Sequence, residues 1–151
     1  MKLAERFLQR QPSWGNAQLQ TGAKIHSGFL ELFHTYWGRV QGVSAAIADF
    51  SQKSECNFDS IEYRLIGHSM GGALATIAAL RLRLGYLNHI TDKPPIKVIT
   101  FGSPRVLGQF AAMQYKGLGL HAKTLRISHE GDGIVSLPPR ILGAKHVGLF
   151  V

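Results

Sequence analysis

Ile61-Glu62-Tyr63-Arg64-Leu65-Ile66 runs straight into Gly67-His68-Ser69-Met70-Gly71 and then into Gly72-Ala73-Leu74-Ala75. A short apolar run closed by glycine reads as a buried strand, and the alanine- and leucine-rich stretch from Gly71 to Leu84 has the composition of a helix, with Gly85 as its expected stop. A serine between such a strand and such a helix sits on a sharp turn, its hydroxyl projecting past the end of the sheet. Gly-x-Ser-x-Gly alone is a weak signal in a chain with 17 glycines, and it is the strand before and the helix after that make it specific. The tight turn predicts that a Cβ at Gly67 or at Gly71 would collide with neighbouring backbone, while Gly72, Ala73 and Ala75 let the helix lie close to its strand.

The flanking sequence alternates in the same way. From Gly28 onward, Phe29, Phe33, Tyr36, Trp37, Val40, Val43, Ile47 and Phe50 recur at spacings of three and four, which predicts an amphipathic helix packed on a sheet. Ser51 to Ser60 is a polar connection. Beyond Pro94-Pro95, Ile96 to Phe101 reads as a strand ending at Gly102-Ser103-Pro104, Gly108 to Tyr115 as a helix, and Ala122 to Ser128 as a third strand followed by the turn Glu130-Gly131-Asp132-Gly133. At the start, Lys2 to Gln11 is predicted as a short helix stopped by Pro12, and Trp14 to Gly22 as loop. Strands alternating with helices define an α/β class, with a mainly parallel sheet and helices on both faces.

With 151 residues, 45% of them apolar, the chain is long enough for one domain with its own core and not for two. The first ten residues carry charge every few positions and lack the apolar run of a secretory signal, and no stretch approaches the roughly 18 apolar residues of a membrane span. The single cysteine, Cys56, excludes an internal disulfide and reads as an ordinary thiol, so the cytoplasm is favoured over an oxidising compartment. Seventeen Lys and Arg against nine Asp and Glu give a net charge of +8, which favours anionic partners such as a lipid surface. Because Arg81, Arg83, Lys93, Lys97, Arg105, Lys116, Lys123 and Arg126 are scattered and no nucleic-acid motif is present, they predict a solvated basic surface rather than a nucleic-acid site. No set of His, Cys, Asp and Glu has metal-ligand spacing, and no cofactor is expected.

A serine hydroxyl is a poor nucleophile until a base takes its proton, and that base needs a carboxylate to orient it. In a strand-turn-helix setting these groups follow in the order Ser, acid, His. Only Asp92 and Asp132 are aspartates after Ser69, and Asp132 is the better acid because it follows a strand directly, at the sheet edge that carries Ser69. Asp132 also suits the plain role of a turn former in Asp-Gly. His146 is the only histidine after Asp132 and so is nominated as base by chain order alone. The Met70 N–H, at the positive end of a helix, is placed to stabilise an oxyanion. His68 is expected to pack and hydrogen-bond behind the turn, His26 and His129 to tether loops, and His34, His89 and His121 to lie on the surface.

Four segments together resemble the fungal-type (class 3) lipase family: Lys24-Ile25-His26-Ser27-Gly28-Phe29, Gly67 through Ala75, Thr100-Phe101-Gly102-Ser103-Pro104-Arg105-Val106, and Asp132 through Leu137-Pro138-Pro139. The resemblance implies an α/β-hydrolase fold, hydrolysis of carboxylic esters of lipids through an acyl-enzyme on Ser69, Asp132 as triad acid and Met70 N–H as oxyanion donor. Members of the family carry, upstream of the segment matched by His26 to Phe29, a strand ending in Phe-Arg-Gly-Thr that supplies a second oxyanion donor; nothing in residues 1–23 matches it. Ala144-Lys145-His146-Val147-Gly148 is similar to a family segment whose histidine is not the triad base, the catalytic one lying further downstream than Val151. The chain therefore divides into residues 1–23, without a match to the family, and 24–151, a partial hydrolase domain with an open edge on its nucleophile strand. The alternatives are a truncated or degenerate hydrolase acting as a binding domain, and a thioesterase or acyltransferase.

Overall fold

The parallel pairing expected around Ser69 is present in the computed structural model, which describes residues 8–10, 22–53, 61–86 and 95–151. Strands β3 (Tyr63–His68), β4 (Ile96–Phe101), β6 (Thr124–Ile127) and β8 (Leu149–Phe150) form one parallel sheet in that order. A second sheet of very short strands is antiparallel throughout, in the order β1 (Leu8–Arg10), β2 (Lys24–His26), β5 (Leu107–Gly108) and β7 (Ala144–Lys145). The α-helices among the described residues are α1 (Ser27–Lys53), α2 (Met70–Arg81) and α3 (Gln109–Gly117). Cys56, His89, Asp92 and Lys93, together with the loop expected over Trp14 to Thr21, lie outside the described residues.

Several local expectations change. Leu8 to Arg10 is extended and pairs with β2, in place of the predicted helix. A lone helix of about ten residues is marginal in water, so pairing with a neighbouring strand overrides the weak apolar periodicity there. Helix α2 does not stop at Gly85 but widens into a π turn, Leu82–Tyr86, that includes it. The stripe on α1 divides: Phe33 and Trp37 are buried and stack with centroids 4.9 Å apart, whereas Val43 is 61% exposed. Val40, Ile47 and Phe50 of that stripe are not among the described side chains. Helix α1 packs chiefly on α2, and it is α2 that lies on β3 and β4.

Because α2 is wedged between the sheet and α1, almost all of it is buried, from Gly72 and Ala73 through Ala75 to Leu80, and its residues are small enough to permit that approach. Register sets Tyr63, Leu65 and Gly67 beside Ile96, Val98 and Thr100, and these positions face the helices. The core gathers here, with Ile77, Leu80, Ile96 and Val98 joined by Ile25 and Leu107 from the antiparallel sheet, by Tyr115 from α3 and by Leu120 just after it. Burying the hydroxyl of Tyr115 raises its pKa, and it is satisfied in series: Tyr115 donates to Thr124 Oγ1 at 2.7 Å, and Thr124 donates to the Leu120 carbonyl at 2.8 Å.

The opposite face of the parallel sheet presents Arg64, Ile66, His68, Lys97, Ile99, Phe101, Leu125 and Ile127. Ile66 is 62% exposed and Phe101 41%, and none of the apolar residues of this face belongs to the core cluster. Helices on both faces were expected; among the described residues they cover one. Among the described residues strand β3 is also the edge of its sheet, and an apolar groove of about 320 Å³ runs beside it, lined by Phe33, Tyr36, Leu65, Ile66 and Leu74.

Candidate active site

Ser69 is the single residue between β3 and α2, and its backbone is bent to φ 51°, ψ −121°. No other described non-glycine residue has a positive φ, and such a conformation costs on the order of 1–3 kcal/mol, which the surrounding packing must offset. The turn is held from both sides: the Ser69 N–H donates to the Phe101 carbonyl at 2.8 Å, and the Ser69 carbonyl accepts from Gly72 N–H at 3.0 Å. Met70 begins α2, so its N–H has no acceptor within the helix and lies at the positive end of the helix dipole, next to Ser69.

The two glycines of the pentapeptide differ in what they permit. A Cβ on Gly67 would lie 2.2 Å from the Gly71 carbonyl oxygen and 2.6 Å from Gly72 N, so only glycine fits. The expected collision at Gly71 does not occur, since a Cβ there meets nothing within 4 Å. What crowds the turn is the Gly71 backbone pressing on Gly67, while the Gly71 Cα itself borders the open groove beside β3. The second forced glycine is Gly72, where a Cβ would come 2.7 Å from the Ser103 Cβ.

Asp132 forms the turn expected of it and leaves one carboxylate oxygen over the end of the neighbouring strand. Its Oδ1 accepts the Ile134 N–H at 2.9 Å, which closes the turn, and its Oδ2 is left pointing across the end of β4. There it lies 2.8 Å from the position a Cβ of Gly102 would occupy, and Gly102, at φ 56°, leaves that space open. Ser69 is bonded to Phe101 and Asp132 abuts Gly102, so the serine turn and the carboxylate meet at consecutive residues of one strand end.

The loop that presents Asp132 is braced by Arg105, a residue counted above among the solvated basic positions. Arg105 is in fact buried; its guanidinium donates to the carbonyls of Ser136 and Pro138, and its N–H to the Leu137 carbonyl at 2.7 Å. Arg126 is half-buried beneath the Phe150 ring, 4.7 Å from its centroid. The Arg105 contacts span 31 and 33 residues of chain, and nothing in the local sequence marks them.

His146, nominated by chain order, is committed elsewhere. Its Nε2 donates to the Val135 carbonyl at 2.8 Å, and burial, with the nearby Arg126, Arg105 and Arg140, pushes its pKa down to about 4. It lines a small polar pocket with Thr76, Thr100 and Arg126 on the helix side of the sheet. His121, expected on the surface, accepts the Gly148 N–H at 3.1 Å and so ties the entry to β8. His26 stacks on Phe29 at 4.6 Å, and burial lowers its pKa. His34 and His129 are exposed. His68 is exposed too, on the bare face of the sheet rather than packed behind the turn, and its Nε2 lies 3.8 Å from the same Gly102 position that Asp132 approaches.

A parallel sheet, a strained serine at the end of one strand and a helix starting immediately after it define an α/β-hydrolase fold. The family model for lipase (class 3) matches residues 2–142, and the chain belongs to that family. The match starts at residue 2 and so takes in nearly all of the 1–23 stretch that carries none of the quoted motifs. A secreted mono- and diacylglycerol lipase of Fusarium solani is 33% identical over 131 residues, covering 85% of this chain and 34% of that protein. The triacylglyceride lipase of Rhizomucor miehei superposes with a TM-score of 0.72 at 25% identity, over 95% of this chain and 48% of its own. A triacylglycerol lipase whose catalytic centre is a triad of the serine-protease kind gives the same TM-score and identity, over 98% of this chain and 50% of its own. The chain thus spans about a third of the length of the curated relatives it matches.

Proposed function

We propose that this chain carries the nucleophile and acid of a serine ester hydrolase acting on carboxylic esters of lipids, acylglycerols first among them. Ser69 is the nucleophile, Asp132 the acid, and the Met70 N–H one donor to the oxyanion. The observation that carries the reading is the strained Ser69 turn meeting the free Asp132 oxygen at Phe101-Gly102. In the reaction Ser69 Oγ forms a bond to the acyl carbon as its proton passes to a base. The tetrahedral oxyanion is held at the helix N-terminus; the C–O bond to the alcohol then breaks, the alcohol leaves with that proton, and water later releases the acid. The residues named need no cofactor for this sequence. The net charge of +8 supports a peripheral contact with an anionic lipid surface.

A second reading, a hydrolase-derived domain that binds lipid without turning it over, is favoured by the state of His146, which is neutral and hydrogen-bonded to backbone. Hydrolysis of p-nitrophenyl butyrate and of a monoacylglycerol by the parent, Ser69→Ala and Asp132→Asn separates the two. Slow hydrolysis lost in both variants is expected. Equal rates in all three, in folded protein, would leave the binding reading.

A further inference from the structure

On the helix side of the parallel sheet, near the end of β4, Thr76, Thr100, Arg126 and His146 line a small cavity with room, about 10 Å³, for the centre of one water-sized particle. Thr100 and Arg126 are register partners on neighbouring strands, so their side chains stand side by side on that face. Thr100 is 2% exposed, yet its Oγ1 has no hydrogen-bond partner among the described residues, and neither has the buried Arg126 Nε. Two buried donors beside a void of that size call for one shared acceptor. The charge around it is all of one sign. Arg126 and Lys145 are in its wall, and Arg105 and Arg140 act on both Arg126 and His146. Among the described residues none of the three arginines has an ion-pair partner, while Glu62, which does pair, is taken by Arg64 and Lys97 at the start of β3. Burial and then repulsion by Arg105 and Arg140 lower the Arg126 pKa, and burial with the three arginines keeps His146 neutral.

We infer that this cavity binds a chloride ion, held by Thr100 Oγ1–H and Arg126 Nε–H. A water molecule would answer the two donors and leave the positive charge unopposed; a monatomic anion answers both. Phosphate, sulfate and carboxylates need more room than a single water-sized site gives. The site stands apart from whatever Ser69 does, but it backs the loop beyond Asp132. His146 Nε2 holds the Val135 carbonyl of that loop, and the Arg105 guanidinium holds those of Ser136 and Pro138. Bound chloride relieves the repulsion among these holding groups and so stabilises the loop from the helix side of the sheet.

The test compares thermal melts of the full chain in sodium chloride, sodium bromide and sodium gluconate at equal ionic strength, with the linewidth of the chloride NMR signal as a direct reading of bound ion. The melting temperature is expected to rise with chloride along a saturating curve. Bromide, close in size, should do the same, and gluconate, too large to enter, should not. Thr100→Val, which keeps the shape and removes the hydroxyl, should weaken the apparent chloride affinity about ten- to a hundredfold, the range for one hydrogen bond to a charge. Arg126→Gln should abolish the chloride response, whereas Lys116→Gln, on the exposed surface of α3, should respond as the parent does. In the parent the His146 ring should titrate at a higher pH in chloride than in gluconate, because the anion favours the imidazolium. Identical melts in chloride and gluconate, with no broadening of the chloride signal, would overturn the inference and leave the cavity to water. An unchanged affinity in folded Thr100→Val would overturn the site whether or not Arg126→Gln folds, and reduce any chloride effect to screening of the surface charge.

Discussion

Replacing the glycines of the serine turn one at a time by alanine should give effects of opposite sign within one pentapeptide. At Gly67 the new methyl would sit 2.2 Å from a carbonyl oxygen and 2.3 Å from its carbon, both of them backbone atoms of Gly71 that have no rotamer to change. Overpacking of this kind costs typically 1–3 kcal/mol, and with rigid backbone on both sides the upper end, about 3 kcal/mol, is expected. At Gly72 the clash, 2.7 Å, is with the side chain of buried Ser103, which can yield slightly, so about 2 kcal/mol is expected. At Gly71 there is no atom to meet and φ is not positive, so alanine should stabilise by about 0.5–1 kcal/mol through the lost freedom of the unfolded chain and the better helix former. Urea unfolding followed by circular dichroism reads all three. With a slope of about 1–3 kcal/mol per molar, the midpoint should fall by about 1 M or more for Gly67→Ala and rise by a few tenths for Gly71→Ala. A Gly71→Ala midpoint as low as that of Gly67→Ala, with unchanged slope, would refute the assignment of the crowding to Gly67.

Two further outcomes follow from features of the same domain. His146, at about 4 when folded against about 6.5 unfolded, contributes stability that is present above pH 6.5 and is lost as pH falls from there through 4, because the unfolded chain takes up the proton first. Allowing for solvent screening of a partly exposed group, the loss is on the order of 1–2 kcal/mol. His146→Gln should flatten the stability curve over that window alone, and parallel curves for parent and variant would count against it. The bare sheet face should bind the dye ANS and limit solubility, and Ile66→Thr with Phe101→Thr should lower dye binding while leaving the melt nearly unchanged. A drop in stability of several kcal/mol would mean that these side chains are packed.

Much of the fold was legible because its signals are local. The strand into Ser69, the helix after it and the strand Ile96–Phe101 are each written in a few adjacent residues whose periodicity and glycine punctuation agree. The short strands β5, β7 and β8, two residues each, carry no period at all and exist only through their partners. Leu8–Arg10 was misread for the same reason. In the site, Ser69 and Asp132 stand out by residue type and by their position after a strand. Gly71 was credited with a constraint that belongs to its neighbours, because a pentapeptide does not say which of its glycines faces the backbone. Arg105 and Gly102 were passed over, since their value depends on residues about thirty positions away.

The stretch from Phe101 to Arg105 serves as a common datum for both halves of the site. Ser69 is referenced to it through the Phe101 carbonyl, Asp132 through the gap over Gly102, and the loop beyond Asp132 through the backbone and guanidinium of Arg105. Positional error between Ser69 and Asp132 therefore does not accumulate along the sixty-odd residues that separate them; it is limited to the play within five consecutive residues of one strand exit. Surrounding loops can change length or composition without detuning the pair. A change inside that short stretch displaces both members at once.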